Sequence, residues 1–221
     1  MDFTEYSSKL NNNQLANKGI PGFVSSAKAQ GQTQEFQNGL SLSYAELGIV
    51  SPVDPYFNFY SNIPVTETGV TLEEAFFVTT ALSAGLQMKA GKFKSNFSRL
   101  DAQHPHAWDF KDIALPYKAF LGTEGLGGDD GVQATFLPEF PFYTLFGAEV
   151  LQGQNSLLFG TGGNAGDSPH AFTTFVKSSL DTSDNSTIYF GPSVLFGKTN
   201  NSNVGNAVAG SGSAWIGGGA A

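Results

Sequence analysis

Tyr143-Thr144-Leu145-Phe146-Gly147-Ala148-Glu149-Val150-Leu151-Gln152 is the stretch that decides the fold class. Phe146, Ala148 and Val150 share one parity; Gly147 and Glu149 share the other. Successive residues of a β-strand point to opposite faces, so this is a strand with one apolar face and one small or polar face. The pattern repeats outward. Upstream lie Val132 to Phe136, and Leu86, Met88 and Ala90 opposite Gln87 and Lys89. Before them, Val70, Leu72, Phe76, Val78 and Leu82 lie opposite Thr71, Glu73, Phe77 and Thr79. Earlier still, Phe57, Phe59, Ile63 and Val65 alternate with Asn58, Tyr60 and Asn62. The first such run, Leu40, Leu42 and Tyr44, slips phase to Leu47 and Ile49, as a bulge would make it do. Downstream, Phe172, Thr174 and Val176 begin one strand, and Ile188, Phe190, Val194 and Phe196 end the series.

Short turns at Pro52 to Pro55, Thr66 to Gly69, Ser83 to Gly85 and Asp181 to Asn185 join these runs into an antiparallel meander. Between residues 94 and 130 a long irregular stretch interrupts it, holding His104, His106, Trp108 and the glycines from Gly122 to Gly131. The chain is thus read as a polar segment over 1–38 that is flexible or contributes one strand, a β region over 39–198, and a loop or truncated tail over 199–221. His170, beside Pro169, is read as loop surface.

Composition narrows the class. Only 14% of residues are charged, against roughly 25% in ordinary soluble domains. Twenty-seven Gly and 20 Phe take up the difference with Asn, Ser and Thr, a mix poor in helix formers. A net charge of −8 argues against nucleic acid as a partner, because phosphate binding needs clustered Lys and Arg. The absence of Cys removes disulfides, Cys-based zinc sites and thiol catalysis. No run of apolar residues is long enough for a membrane helix, a test that says nothing about a β-barrel.

The polar faces carry Ser, Thr, Asn, Gln and Gly rather than Lys and Glu. That favours strands with apolar residues toward lipid and polar ones toward a lumen. The expected fold is all-β: a transmembrane antiparallel up-and-down β-barrel of about eight strands, incomplete in this chain. Met1 to Glu5 lacks the basic start and apolar core of a secretory signal, so the chain is expected to be a piece of a longer protein. The expected location is the outer membrane of a Gram-negative bacterium. The expected role is passage of small solutes or ions without covalent chemistry, so not an enzyme. Its partners would be the lipid bilayer and those solutes, with no nucleic acid, and the class allows a homo-oligomer. The alternative is a secreted soluble β-sandwich that acts as a binding module.

Several motifs occur in order between Ile20 and Phe159. They include Tyr44-Ala45-Glu46-Leu47-Gly48, Val53-Asp54-Pro55-Tyr56-Phe57, Leu72-Glu73-Glu74-Ala75-Phe76 and Gly85-Leu86-Gln87-Met88-Lys89-Ala90-Gly91-Lys92-Phe93. Gln103-His104-Pro105-His106-Ala107-Trp108-Asp109-Phe110, Gly122-Thr123-Glu124-Gly125-Leu126, Gly131-Val132-Gln133 and Gly147-Ala148-Glu149 complete the set. This set resembles a family of Gram-negative porin-like proteins labelled zinc-regulated TonB-dependent outer-membrane receptors. The resemblance implies an outer-membrane barrel of receptor type. The chain departs from it in two places: Ser25 to Gln37 holds no His where members often carry a His-rich tract, and nothing matches a TonB box or plug domain.

Two sets of residues stand out as sites. Glu46, Glu73, Lys89 and Glu149 are assigned to a lumen, where they either select solutes by charge or simply offset one another. His104 and His106, flanked by Asp101 and Asp109, are the metal candidates, and zinc is the cofactor such donors suit. The competing reading is a structured loop in which the His pair and Trp108 pack on the wall. Adjacent carboxylates such as Glu73-Glu74 are expected on opposite faces of their strand. No nucleophile elbow, phosphate loop or dinucleotide fingerprint is present.

Overall fold

A computed structural model describes residues 2–4, 39–41, 44–66, 69–110, 113–160, 168–183, 185–199 and 212–218. Strands β1 (Asp2–Thr4) and β2 (Gly39–Ser41) pair with each other in a small separate sheet. β1 lies within 1–38, the segment read as flexible or contributing one strand; residues 5–38 lie outside the described residues.

The rest is one antiparallel sheet. Its strands are β3 (Ala45–Asp54), β4 (Phe57–Thr66), β5 (Gly69–Val70), β6 (Glu74–Thr79), β7 (Leu86–Lys94), β8 (Gly128–Phe136), β9 (Tyr143–Leu151), β10 (Ala171–Ser183), β11 (Ser186–Phe190), β12 (Ser193–Thr199) and β13 (Gly212–Gly218). β5 and β6 both pair with β4, and β11 and β12 both pair with β10, so each couple is one interrupted line. The lines run in sequence order from β3 at one edge to β13 at the other, and among the described residues these edges do not pair. All-β and antiparallel is therefore what the chain is, as an open sheet. The expectation of about eight strands falls short, because the tail read as a loop contains β13, in register with β12 from Ser193↔Gly218 to Thr199↔Gly212.

Connections differ by end. Residues 55–56, 80–85, 137–142 and 184–185 close one end. Residues 67–68, 95–127, 152–170 and 200–211 connect strands at the other. The stretch 95–127 holds a 3-10 turn (Pro105–Ala107) and helix α1 (Leu115–Phe120), and the next long connection holds α2 (Ser156–Phe159).

The two faces of the sheet have opposite characters. Ser51, Phe59, Phe77, Ala90, Val132, Val150, Phe172 and Phe196 face one another in turn across successive strands, forming an uncharged row. On this open face, Phe77, Val132, Val150, Phe172 and Phe196 are 38 to 45% exposed. On the opposite face, the row Lys89, Gln133, Glu149, Thr173 and Leu195 is covered, with the last four at most 3% exposed.

The cover is the inward-folded connection 95–127. Phe97, Leu121 and Leu126 from it, with Phe159 of α2, pack on Phe93, Leu151, Ala171 and Leu195 of the sheet. This is the apolar core, and it lies toward the end with the long connections. Phe76 and Phe93 meet edge to face at 6.4 Å, an arrangement aromatic quadrupoles favour. Thus Phe76 and Val78, read with Val70 and Leu72 as a single apolar face, lie across the sheet from them.

The cause is a one-residue bulge. Val65 faces Val70, but Asn62 faces Glu74, so three steps on β4 oppose four on the neighbouring line. Asn62 O accepts the Glu73 N–H at 3.0 Å within the bulge. The insertion flips the parity of the following residues and brings Glu73 and Glu74 to the same side. The expectation that this pair points to opposite faces is corrected accordingly.

Candidate functional site: a histidine and carboxylate cluster under the inward loop

Three buried carboxyl groups fix the two long connections, Glu149 and Asp101 holding the inward loop and Asp129 the start of the connection after β9. Glu149 accepts from Ser95 Oγ, Asn96 N (2.8 Å), Gln133 Nε2 (2.6 Å) and Thr173 Oγ1, tying the start of the loop to β8, β9 and β10. Asp101 accepts from Ser98 Oγ at 2.6 Å and from Leu126 N at 2.9 Å, closing the loop on itself. Burial pushes its pKa up, against those hydrogen bonds. Asp129 accepts from the N–H groups of Gly153 and Gln154, both at 3.0 Å. Asn155 caps α2 through Leu158 N and donates to Leu121 O and Gly125 O, which joins the two long connections.

This framework carries His104 to the bulge. Its Nε2 lies 2.8 Å from Glu74 Oε2 and its Nδ1 3.2 Å from Glu73 Oε1. Those partners raise the His104 pKa to about 9, first through the hydrogen bond to Glu73 and then through that to Glu74, against the cost of burial. Lys94 Nζ, buried, lies 3.4 Å from Glu73 Oε1, and the Lys94 N–H donates to Glu74 Oε1 at 2.9 Å. Asn62 Nδ2 donates to Glu46 Oε1, while Asn62 Oδ1 is buried without a hydrogen-bond partner. His106 stacks on His104 with ring centres 5.5 Å apart, and its Nδ1 lies 2.7 Å from Tyr44 Oη and 3.8 Å from Glu46 Oε2. Beside the cluster lies a cleft of about 440 Å³ lined by Glu46, Tyr60, Asn62, Glu74, Phe76 and His106, among others.

The residues singled out from the sequence therefore regroup. His104 and His106 come together, but with Glu46, Glu73 and Glu74. Asp101 is spent inside the loop, and Asp109 pairs with Arg99 at 3.2 Å on the surface, so neither expected aspartate joins the His pair. A set of donor atoms within 4.8 Å of one another comprises Glu46, Glu73 and His104. Glu149 is a loop anchor, and Lys89 lies 5.0 and 5.2 Å from the ring centres of Phe76 and Phe93 while attracted to Glu149 and Glu74. His170, read as loop surface, is buried: its Nδ1 lies 3.0 Å from Ser168 O and its ring stands edge-on to Phe159. Asn62, Tyr44 and Lys94 were missed, having no signal beyond proximity to motifs.

No protein-family model matches the chain, and no solved structure matches it. A protein of Aquifex aeolicus (strain VF5), described as an uncharacterized protein, is 46% identical over 172 residues. The match covers 74% of this chain and 36% of the relative, so the chain spans about a third of that protein's length. The likeness brings no activity with it.

Proposed function

We propose that this sheet is part of the wall of an outer-membrane β-barrel, of porin or receptor type, that passes small solutes or ions. The observation that carries the reading is the inversion of the two faces. An uncharged, largely apolar row runs exposed or half-buried from β3 to β12, while Gln133, Glu149 and Thr173 are buried behind it under a folded loop. In water that arrangement wastes apolar burial; against lipid it is the stable one, because polar and charged groups are costly toward hydrocarbon and cheap toward a lumen.

Strand length agrees. β3 and β4 have 10 residues and β7, β8 and β9 have 9, the length a tilted strand needs to cross hydrocarbon. So does the asymmetry of the ends, with connections of at most six residues on one side and, apart from residues 67–68, long ones on the other. At the short-turn end, Tyr56, Phe140, Phe142 and Tyr143 are exposed, where an aromatic girdle would meet headgroups. In this reading loop 95–127 narrows the lumen, and the His104 cluster lines what remains.

Membrane fractionation and planar-bilayer recording test it. The protein should stay with detergent-extracted outer membrane and give discrete conductance steps. Recovery in the aqueous phase as a stable, non-conducting species would refute the proposal.

A further inference from the structure

The geometry points to a divalent transition-metal site made by Glu46, Glu73 and His104, which clasps the inward loop to the sheet. This inference does not depend on the membrane reading. One donor comes from edge strand β3, one from the bulge and one from the loop, and their ligand atoms lie within 4.8 Å of one another. That convergence needs the bulge, since a regular strand would send Glu73 to the other face.

The outer partners fit as well. His104 Nε2 is held by Glu74 Oε2 at 2.8 Å, and Glu74 is itself fixed by the Lys94 N–H. A carboxylate on one ring nitrogen orients a histidine and strengthens the other nitrogen as a ligand. That other nitrogen, Nδ1, faces Glu73 at 3.2 Å. Asn62 Nδ2 donates to Glu46 Oε1 and lies 3.3 Å from His104 Nε2, which holds the Glu46 carboxylate at the cluster. The charges also match. Glu46, Glu73 and Glu74 oppose Lys94 and the more distant Lys89 once His104 acts as a neutral ligand, which leaves the cluster net negative for a doubly charged ion. One imidazole with carboxylate oxygens suits zinc, manganese or iron(II) better than calcium, which takes oxygen ligands. The adjoining cleft gives the ion a route in.

The test is titration of the chelator-treated protein in detergent with Zn²⁺ by calorimetry and with Co²⁺ by visible absorption. One equivalent should bind, and Co²⁺ should develop ligand-field bands. Glu73→Gln and Glu46→Gln should each weaken binding at least tenfold, whereas Asp109→Asn should not change it. Because a loop variant could disturb folding, Glu46→Gln on the edge strand is decisive, with Trp108 fluorescence as the check that the loop is seated. No saturable binding below about 100 μM, or wild-type affinity in both glutamine variants, overturns the site.

Discussion

Glu149 anchors the inward loop, and replacing it separates shape from hydrogen bonding. In Glu149→Leu, four donors lose their acceptor: Ser95 Oγ, Asn96 N, Gln133 Nε2 and Thr173 Oγ1. The two hydroxyls can rotate toward other acceptors. The Asn96 N–H and the Gln133 amide are held in place, and each buried donor left unmade costs about 1–3 kcal/mol. The two together cost about 2–6 kcal/mol, less what the removed carboxylate no longer spends on desolvation. A net loss of about 3 kcal/mol is the expected result. Glu149→Gln should lose only about 1 kcal/mol, since its oxygen still accepts from both N–H donors and its amide can donate to the hydroxyls. Urea unfolding in detergent, read by Trp108 emission, measures both, and protease cleavage within 95–127 reports loop release. If Glu149→Leu falls within about 0.5 kcal/mol of wild type, or Glu149→Gln costs as much, the anchor reasoning is wrong.

Three further outcomes follow from the structure. A Cβ at Gly147 would meet the Phe175 ring at 2.0 Å, so Gly147→Ala should cost about 1–3 kcal/mol in the same unfolding assay. The His104 pKa is raised to about 9, so its contribution to holding the loop is complete below its ordinary value near 6.5 and is lost as pH climbs through about 9; an alkaline titration with chelator present should show a Trp108 transition near pH 9 that His104→Gln abolishes. Arg99 and Asp109 are 54% and 61% exposed, so Asp109→Asn should change stability by less than about 1 kcal/mol.

Much of the sheet was legible because period-two alternation is local. β4, β7, β9, β10 and β12 follow from it, whereas the first run does not: Leu40 pairs with Phe3 in the separate sheet, and β3 runs on through Pro52 to Asp54 where a turn was expected. The parity of Phe76 and Val78 was not legible, since the bulge at Glu73 is set by how β4 and β7 pair around it, and no glycine or proline marks the position. β13 was missed because Gly212-Ser213-Ala214-Trp215-Ile216-Gly217-Gly218 has weak strand propensity; the free edge of β12 makes it a strand. The structure brings His104 and His106 together, but the aspartates nearest in sequence are not their neighbours. Asp101 is three residues from Ser98 and bonds locally, whereas His104 reaches Glu73 and Glu74 across some thirty residues of chain. Sequence proximity gives no information about such contacts. The buried role of Glu149 was hidden likewise, because alternation assigns a face but not what folds over it.

The chain contains no cysteine, so single thiols can carry a nitroxide without background. Labels at Val150→Cys and Phe77→Cys on the open face, and at Tyr60→Cys in the cleft, in protein reconstituted into liposomes, test the inverted sheet most directly. The open-face labels should relax with lipid-dissolved oxygen and ignore a water-soluble nickel complex, and the cleft label should do the reverse. Open-face labels that respond to the nickel complex as freely as the cleft label would contradict the account.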